Sequence, residues 1–278
     1  MTSMPSVPDI ALSDGSSMPQ LGFGVWQVPA GETAKTVGLA IAAGYRSIDT
    51  AMIYRNEEGV GEGVRASGIP REQIFITTKL WNADQGYDST LRAFDASLKR
   101  LRLDYVDLYL IHWPMPQQGR YADSWKALVT LKNGGRAKSI GVSNFNQKHL
   151  QKIMDETGVV PTVNQVELHP RFQQKALREF HAKHGIATES WSPLGRGALS
   201  NEPVLAKVAK KHGKTWAQIV LRWHVELGLI VIPKSVTPAR IRENISIFDF
   251  RLDTEDLNAI AALDHSDGRS GPDPDADW

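Results

Sequence analysis

The chain contains no cysteine among its 278 residues. This absence excludes disulfide bonds, thiolate metal sites and cysteine nucleophiles, and it is typical of proteins from a reducing compartment. The chain also lacks a large net charge, since 32 Lys and Arg residues are balanced by 31 Asp and Glu residues. No long-range field therefore favours nucleic acid or an anionic membrane, and any anion site has to be local.

Long apolar runs are absent as well. No stretch approaches the ~20 residues that a membrane-spanning helix needs, and residues 1–17 lack the basic start and apolar run of a secretory signal. No Gly/Ser-rich linker or change of composition divides the chain. We expect one domain over residues 1–278, a cytoplasmic monomer, and neither nucleic acid nor a membrane as a partner.

From residue 21 onward, short β-branched or apolar runs alternate with stretches of helical periodicity, at roughly 30 residues per unit. The candidate strands are residues 21–24, 47–49, 74–79, 106–111, 137–142, 162–167, 187–191 and 229–233. The candidate helices are residues 32–43, 57–67, 89–101, 122–132, 147–156, 174–184, 203–212, 216–227 and 254–263. Eight strand–helix units predict an α/β protein, a closed (β/α)8 or TIM barrel with extra helices. Short strands on either side of Asp14-Gly15 predict a β-hairpin that caps its floor.

The carboxyl ends of the candidate strands are polar, and active sites of such barrels lie at these ends. The residues expected at this rim are Asp49, Tyr54, Lys79, His112, Ser143, Asn144, Gln165, Trp191, Ser192, Lys234 and Ser235. Each of them alone is compatible with a structural role, such as a helix cap or a core histidine. Together, Asp49, Tyr54, Lys79 and His112 predict a functional site, because burying so many ionisable groups without a function would be costly.

Five segments make the chain resemble the aldo-keto reductases over nearly its whole length. They are GYRSIDTA at residues 44–51 with Tyr54 and Asn56-Glu57, TTKLW at 77–81, DLYLIHWP at 107–114, GVSNF at 141–145 and IPKSVT at 232–237. The chain is most similar to the bacterial branch that includes 2,5-diketo-D-gluconate reductase. Ser47 stands where many members have His, and Trp26 where the diketogluconate enzymes have Phe.

Reduction of a carbonyl group requires a hydride at carbon and a proton at oxygen. Tyr54 is the expected proton donor, with Lys79 lowering its pKa and Asp49 keeping Lys79 charged. His112 is expected to hydrogen-bond the substrate oxygen, to orient the carbonyl and to share in the proton transfer. The resemblance assigns these same roles. It implies NADPH-dependent reduction of small aldehydes and ketones, including diketo sugars or α-dicarbonyls.

The resemblance further implies an NADPH molecule extended across the barrel mouth. Ser143, Asn144 and Gln165 would hold the carboxamide and Trp191 would stack on the ring, with Ser192 and Leu194 next in the cofactor site. Trp26, Trp81 and Trp113 would line the substrate pocket beside His112. A Rossmann site is not predicted, since GVGEG at residues 59–63 lacks the third glycine at the required offset and starts inside a candidate helix.

Residues 234–240, KSVTPAR, predict a local anion site. Thr237 suits an N-cap and Pro238 the first helical position, so a helix should begin there with free N–H groups and a positive dipole end. Arg240 can add a forked donor to a phosphate. We expect the extra phosphate of NADPH here, held by Lys234, Ser235, Val236, Thr237 and Arg240, with Glu243 and Asn244 as candidate partners for the adenine. The alternative is a capped helix with solvated basic residues.

Other readings of the sequence receive less support. His181 and His184 lie three apart, but no further ligand has supporting spacing, so we expect a solvated helix face and no metal site. Residues 264–278, rich in Asp, Pro and Gly, are expected to form a partly ordered loop, which the resemblance places over the substrate mouth. The competing functions are a cofactor-binding regulatory barrel with little turnover, and a sugar-phosphate isomerase that would leave Tyr54 and Lys79 unexplained.

Overall fold

Eight parallel strands form one sheet in the computed structural model, which describes residues 7–276. In sheet order the strands are β3 Phe23–Gly24, β4 Ser47–Asp49, β5 Phe75–Leu80, β6 Val106–Ile111, β7 Ala137–Ser143, β8 Val163–Glu167, β9 Ala187–Trp191 and β10 Ile230–Val231. A parallel bridge between Leu21 and Val231 joins the two ends of the sheet and closes the barrel. The predicted (β/α)8 fold is confirmed. The described residues exclude 1–6, which belong to the segment examined for a secretory signal. They also exclude 277 and 278 at the end of the C-terminal tail.

Ten α-helices accompany the barrel within residues 7–276. They are α1 Ala30–Ala43, α2 Glu57–Ala66, α3 Tyr87–Leu101, α4 Tyr121–Asn133, α5 Gln147–Thr157, α6 Lys175–His184, α7 Pro203–His212, α8 Trp216–Glu226, α9 Pro238–Ile245 and α10 Thr254–Ala261. Gly44 ends α1 with φ 111°, a left-handed conformation that suits glycine. Within residues 7–276, no helix combines the length and apolar character that crossing a membrane requires.

An antiparallel hairpin of β1 Asp9–Ala11 and β2 Ser17–Pro19 closes the barrel floor. Met18 from β2 is fully buried, and together with Leu12 it packs into an inner cluster of barrel residues. The barrel residues of this cluster are Leu108, Leu110, Val163 and Ile230. The predicted floor cap is therefore present, and apolar side chains fill the lower end of the barrel.

The glycine run at residues 59–63 serves helix packing. A Cβ atom on Gly61 would lie 1.9 Å from the carbonyl oxygen of Leu101, and one on Gly63 would lie 2.7 Å from that of Ala34. Both glycines lie within α2, so their missing side chains let α2 approach α1 and the end of α3 closely. This location agrees with the expectation that the run is not a dinucleotide-binding loop.

The expectation of a solvated helix face is wrong for His181. This residue is fully buried and shares hydrogen bonds with Asn164 at 2.9 Å and Thr188 at 2.8 Å. Burial, with a smaller effect of His184, lowers the pKa of His181 to about 3. Among residues 7–276, no group of three His, Cys, Asp or Glu side chains is arranged to hold a metal ion.

Candidate active site

Lys79 forms the centre of the site. It is fully buried at the end of β5, and its Nζ donates to Asp49 Oδ1 at 2.6 Å and to the Thr50 carbonyl oxygen at 2.9 Å. The same Nζ lies 3.5 Å from the hydroxyl oxygen of Tyr54, which ends the short 3-10 turn Met52–Tyr54 after β4. Adjacent parallel strands thus bring a carboxylate, an ammonium group and a phenol into contact.

The pKa of Tyr54 is shifted upward, opposite to the direction expected from the sequence. Burial raises the pKa of Tyr54, and Lys79 lowers it by less, while Asp49 adds to the rise. The pKa therefore lies above its usual value, and Tyr54 is protonated at neutral pH. Burial is the largest single effect on Lys79 and lowers its pKa, but Asp49, Tyr54 and Glu189 together outweigh burial and raise the net pKa, so Lys79 stays charged.

His112 follows β6 and faces the same space. Its ring centroid lies 5.8 Å from that of Tyr54 and 5.3 Å from that of Trp81. Burial, and then the neighbouring Lys79, hold the pKa of His112 well below its usual value. The imidazole is therefore neutral and has one N–H to donate.

Asn144 connects several predicted cofactor residues. Its Nδ2 donates to the His112 carbonyl oxygen at 2.9 Å and to Ser143 Oγ at 3.1 Å, and its Oδ1 accepts from Trp191 Nε1 at 2.7 Å. Its φ of 63° is left-handed, a conformation that asparagine tolerates better than most residues. Asn144 thereby fixes the orientation of the Trp191 ring.

Gln165 reaches across the barrel to a residue that sequence reasoning missed. Its Nε2 donates to Asp49 Oδ2 at 2.8 Å and to Glu189 Oε2 at 2.9 Å. Glu189 lies on β9 and is fully buried, and burial, with a further contribution from Asp49, raises its pKa to about 8. The available signal was an acidic residue inside a short candidate strand, between Thr188 and Ser190.

A cavity of about 460 Å³ opens above these groups. Its lining includes Trp26, Asp49, Tyr54, Trp81, His112, Trp113, Ser143, Asn144, Gln165, Trp191, Ser192, Lys234 and Pro272. The structure thus brings together the predicted catalytic residues, the carboxamide set and the three predicted aromatic walls. Leu194 is an exception, since it packs against the hydrophobic core and does not line the cavity.

The predicted phosphate site lies beside this cavity, at the start of α9. Thr237 occupies the N-cap position and Pro238 the first helical position, as expected, but the Thr237 side chain makes no capping hydrogen bond. Instead, the Thr237 N–H donates to Ser235 Oγ at 3.1 Å. Lys234, Val236 and Arg240 are exposed.

The predicted adenine partners are already engaged or buried. Glu243 Oε1 accepts a hydrogen bond from Thr215 Oγ1 at 2.8 Å, and Asn244 is buried. Their role towards a cofactor stays a prediction.

The C-terminal tail crosses the mouth and is held by Glu167, the last residue of β8. Oε1 of Glu167 accepts from the Ser270 N–H at 2.7 Å and from His169 Nε2 at 3.1 Å, and Oε2 accepts from the Gly271 N–H at 2.8 Å. The next residue, Pro272, lines the cavity. The tail is ordered in this part and narrows the entrance.

The cavity has aromatic walls, and at its base lie a charged Lys–Asp pair, a protonated tyrosine and a neutral histidine. These groups are suited to the reduction of a carbonyl group by an oxidoreductase. A family model described as "Aldo/keto reductase family" matches residues 20–265. The chain belongs to this family, so the predicted family and class of enzyme are confirmed.

Three relatives illustrate the similarity. An aldo-keto reductase of Mycolicibacterium smegmatis is 57% identical over 267 residues, which cover 96% of this chain and 97% of that one. The methylglyoxal reductase DkgA of Yersinia pestis is 56% identical over 270 residues, 96% of each chain. A crystal structure of a Gox0644 point mutant in complex with NADPH superposes with a TM-score of 0.95 at 57% identity, covering 98% of this chain and 100% of that one.

Proposed function

We propose that this enzyme reduces small carbonyl compounds, α-dicarbonyls foremost, to alcohols with NADPH, and that Tyr54 donates the proton. The observation that carries the proposal is the position of Lys79 Nζ between Asp49 and the Tyr54 hydroxyl at the base of the cavity. A cytoplasmic location and a monomeric state, expected from the sequence, are part of the proposal.

The proton transfer follows from the charges of the site. Bound NADPH supplies a hydride to the carbonyl carbon, and the oxygen then needs a proton. Tyr54 carries one at neutral pH, and Lys79 stabilises the phenolate that remains after donation. Asp49 fixes Lys79 by its 2.6 Å hydrogen bond, and the neutral His112 donates an N–H to the carbonyl oxygen and orients it.

The residues present fit the cofactor. A carboxamide NH2 group needs acceptors, and the cavity offers Asn144 Oδ1 and Gln165 Oε1, the second of which accepts no hydrogen bond within the described part of the chain. Trp191 offers its ring face for stacking. At the other end, Arg240 is exposed in the first turn of α9, so its guanidinium is available to a phosphate at the start of this helix.

The size of the cavity supports small substrates. Pockets for drug-sized ligands span about 300–1,000 Å³, and here about 460 Å³ must hold both the reactive end of the cofactor and the substrate. Trp26, Trp81 and Trp113 form its walls, and the tail narrows its entrance at Pro272. The relative from Yersinia pestis is a methylglyoxal reductase, which makes methylglyoxal the first compound to test.

The test is NADPH oxidation followed at the nicotinamide absorbance, with methylglyoxal, other α-dicarbonyls, diketo sugars and simple aldehydes. Tyr54→Phe should bind NADPH as the wild type does but lose about 10²–10⁴-fold in kcat, the usual contribution of general acid catalysis. A Tyr54→Phe enzyme that keeps most of its rate would refute Tyr54 as the donor. Cofactor binding without turnover of any carbonyl in the wild type would instead support the regulatory barrel.

A further inference from the structure

The interior of the barrel holds two carboxyl groups beside one cation. Asp49 and Glu189 are 2% and 0% exposed. The charged or titratable groups that act on Glu189 are Asp49 from β4, Lys79 from β5 and Tyr54 from the loop after β4. Its strand partners, Gln165 on β8 and Ile230 on β10, carry no charge. Lys79 can neutralise one carboxylate, and its hydrogen bond goes to Asp49.

The hydrogen bonds of Glu189 also indicate a neutral acid. Oε2 accepts from Gln165, whereas Oε1 is buried without a partner among residues 7–276. A buried carboxylate with a bare oxygen is costly, and a proton on that oxygen removes the charge. Burial raises the pKa of Glu189 to about 8, in agreement with this geometry.

We propose that Glu189 is a positioning residue of the active site, a neutral acid that holds the Gln165 amide together with Asp49 and leaves Lys79 with a single anionic partner. The inference rests on the proposed role of Tyr54 as proton donor. No contact with substrate is assigned to Glu189, which acts through Gln165, Asp49 and the local charge.

One consequence concerns the orientation of Gln165. Its amide nitrogen meets two carboxyl oxygens, at 2.8 Å from Asp49 and 2.9 Å from Glu189. Because only the NH2 end of the amide can donate, this pair of acceptors favours the orientation in which the Gln165 carbonyl oxygen is left for the cavity. Glu189 therefore helps to present an acceptor to the cofactor.

A second consequence concerns pH. When Glu189 loses its proton, a second negative charge appears near Tyr54 and raises the pKa of the phenol. The phenolate left by proton donation is then less stable, so reduction becomes slower. The neutral acid present at lower pH favours the reductive reaction, and its ionisation sets the alkaline limit.

The first experiment measures kcat for carbonyl reduction between pH 6 and 10 in the wild type, in Glu189→Gln and in Glu179→Gln. Glu179 is an exposed glutamate on α6 and serves as the matched control. The wild type and the control should lose on the order of tenfold in kcat as the pH rises past about 8, where Glu189 ionises. Glu189→Gln mimics the neutral acid at every pH, so the ratio of its kcat at pH 9 to its kcat at pH 7 should lack this decline. The same decline in a folded Glu189→Gln enzyme would overturn the inference.

A second measurement does not depend on turnover, and its first result comes from the wild-type enzyme alone. Infrared difference spectra of the wild-type enzyme should show the C=O stretch of a protonated carboxylic acid at pH 7 that disappears as the pH passes about 8, whereas ordinary carboxyl groups titrate near ~4. Glu179→Gln should retain the band, and Glu189→Gln should lose it. Absence of the band from the wild type at pH 7 would also overturn the inference. A wild type that has the band but reduces no carbonyl compound would refute the proposed function instead.

Discussion

The hydrogen bonds between Glu167 and the C-terminal tail predict how much this side chain contributes to stability. Burial raises the pKa of Glu167, but hydrogen bonds from His169, Ser270 and Gly271 outweigh it and lower the pKa from 4.5 to about 2. Each pKa unit corresponds to ~1.4 kcal/mol, so the ionised side chain contributes on the order of 3 kcal/mol. Because the folded-state pKa is depressed, this stability is present above about pH 4.5 and is lost as the pH falls towards 2.

Replacing Glu167 with Gln removes the charge and puts an NH2 group where one carboxylate oxygen stood. An NH2 group cannot accept the Gly271 or Ser270 N–H, so at least one donor of the tail loses its partner. Amide hydrogen exchange at Ser270 and Gly271 should then become up to about a hundredfold faster at pH 7, the factor that corresponds to the same free energy. The barrel strands should keep their protection.

Mass spectrometry of the peptide that contains residues 264–276 measures this exchange, and Glu179→Gln is the control. The substrate KM should also rise in Glu167→Gln, because Pro272 narrows the cavity only while the tail is held. Unchanged exchange of the tail in a correctly folded Glu167→Gln enzyme would refute the reasoning.

Three further predictions concern the other parts of the site. Lys79→Met should cost roughly 3–5 kcal/mol in the free energy of unfolding, because it leaves Asp49 buried without its partner, and it should nearly abolish turnover. Denaturant unfolding checks the first effect, and a stability equal to the wild type would contradict it. Arg240→Ala should weaken NADPH binding by roughly 1.5–3 kcal/mol and NADH binding far less. Fluorescence titration with both cofactors measures these affinities. Equal losses of affinity for NADPH and NADH would refute the phosphate site. Small dicarbonyls should be turned over faster than steroids, since the cavity of about 460 Å³ also receives the nicotinamide; a steroid that outpaces every small carbonyl would overturn this.

Much of the fold could be predicted because its signals are local. Short apolar runs mark the strands, and the polar residue that follows each run marks the rim, so Asp49, Lys79 and His112 could be placed at one mouth from the sequence. The helix start at Pro238 was predictable for the same reason, since N-cap and proline preferences act within a few residues.

What escaped prediction depends on distances across the barrel. The net pKa of Tyr54 follows from the depth of its burial, which outweighs the Lys79 charge. Glu189 could be placed on a strand, but its contact with Gln165 needs the register of β8 and β9. His181 is polar and lies on a helix, yet Asn164 and Thr188 from two strands enclose it. The hydrophobic periodicity of a single segment cannot predict these contacts, because each of them joins residues from different segments.

The hairpin at the barrel floor determines the side from which reactants can enter the barrel and products can leave it. With Met18 and Leu12 filling the lower end of the barrel, the upper mouth is the route by which both reactants arrive and both products leave. The restriction of access to one side of the barrel thus follows from apolar side chains that pack at its opposite end.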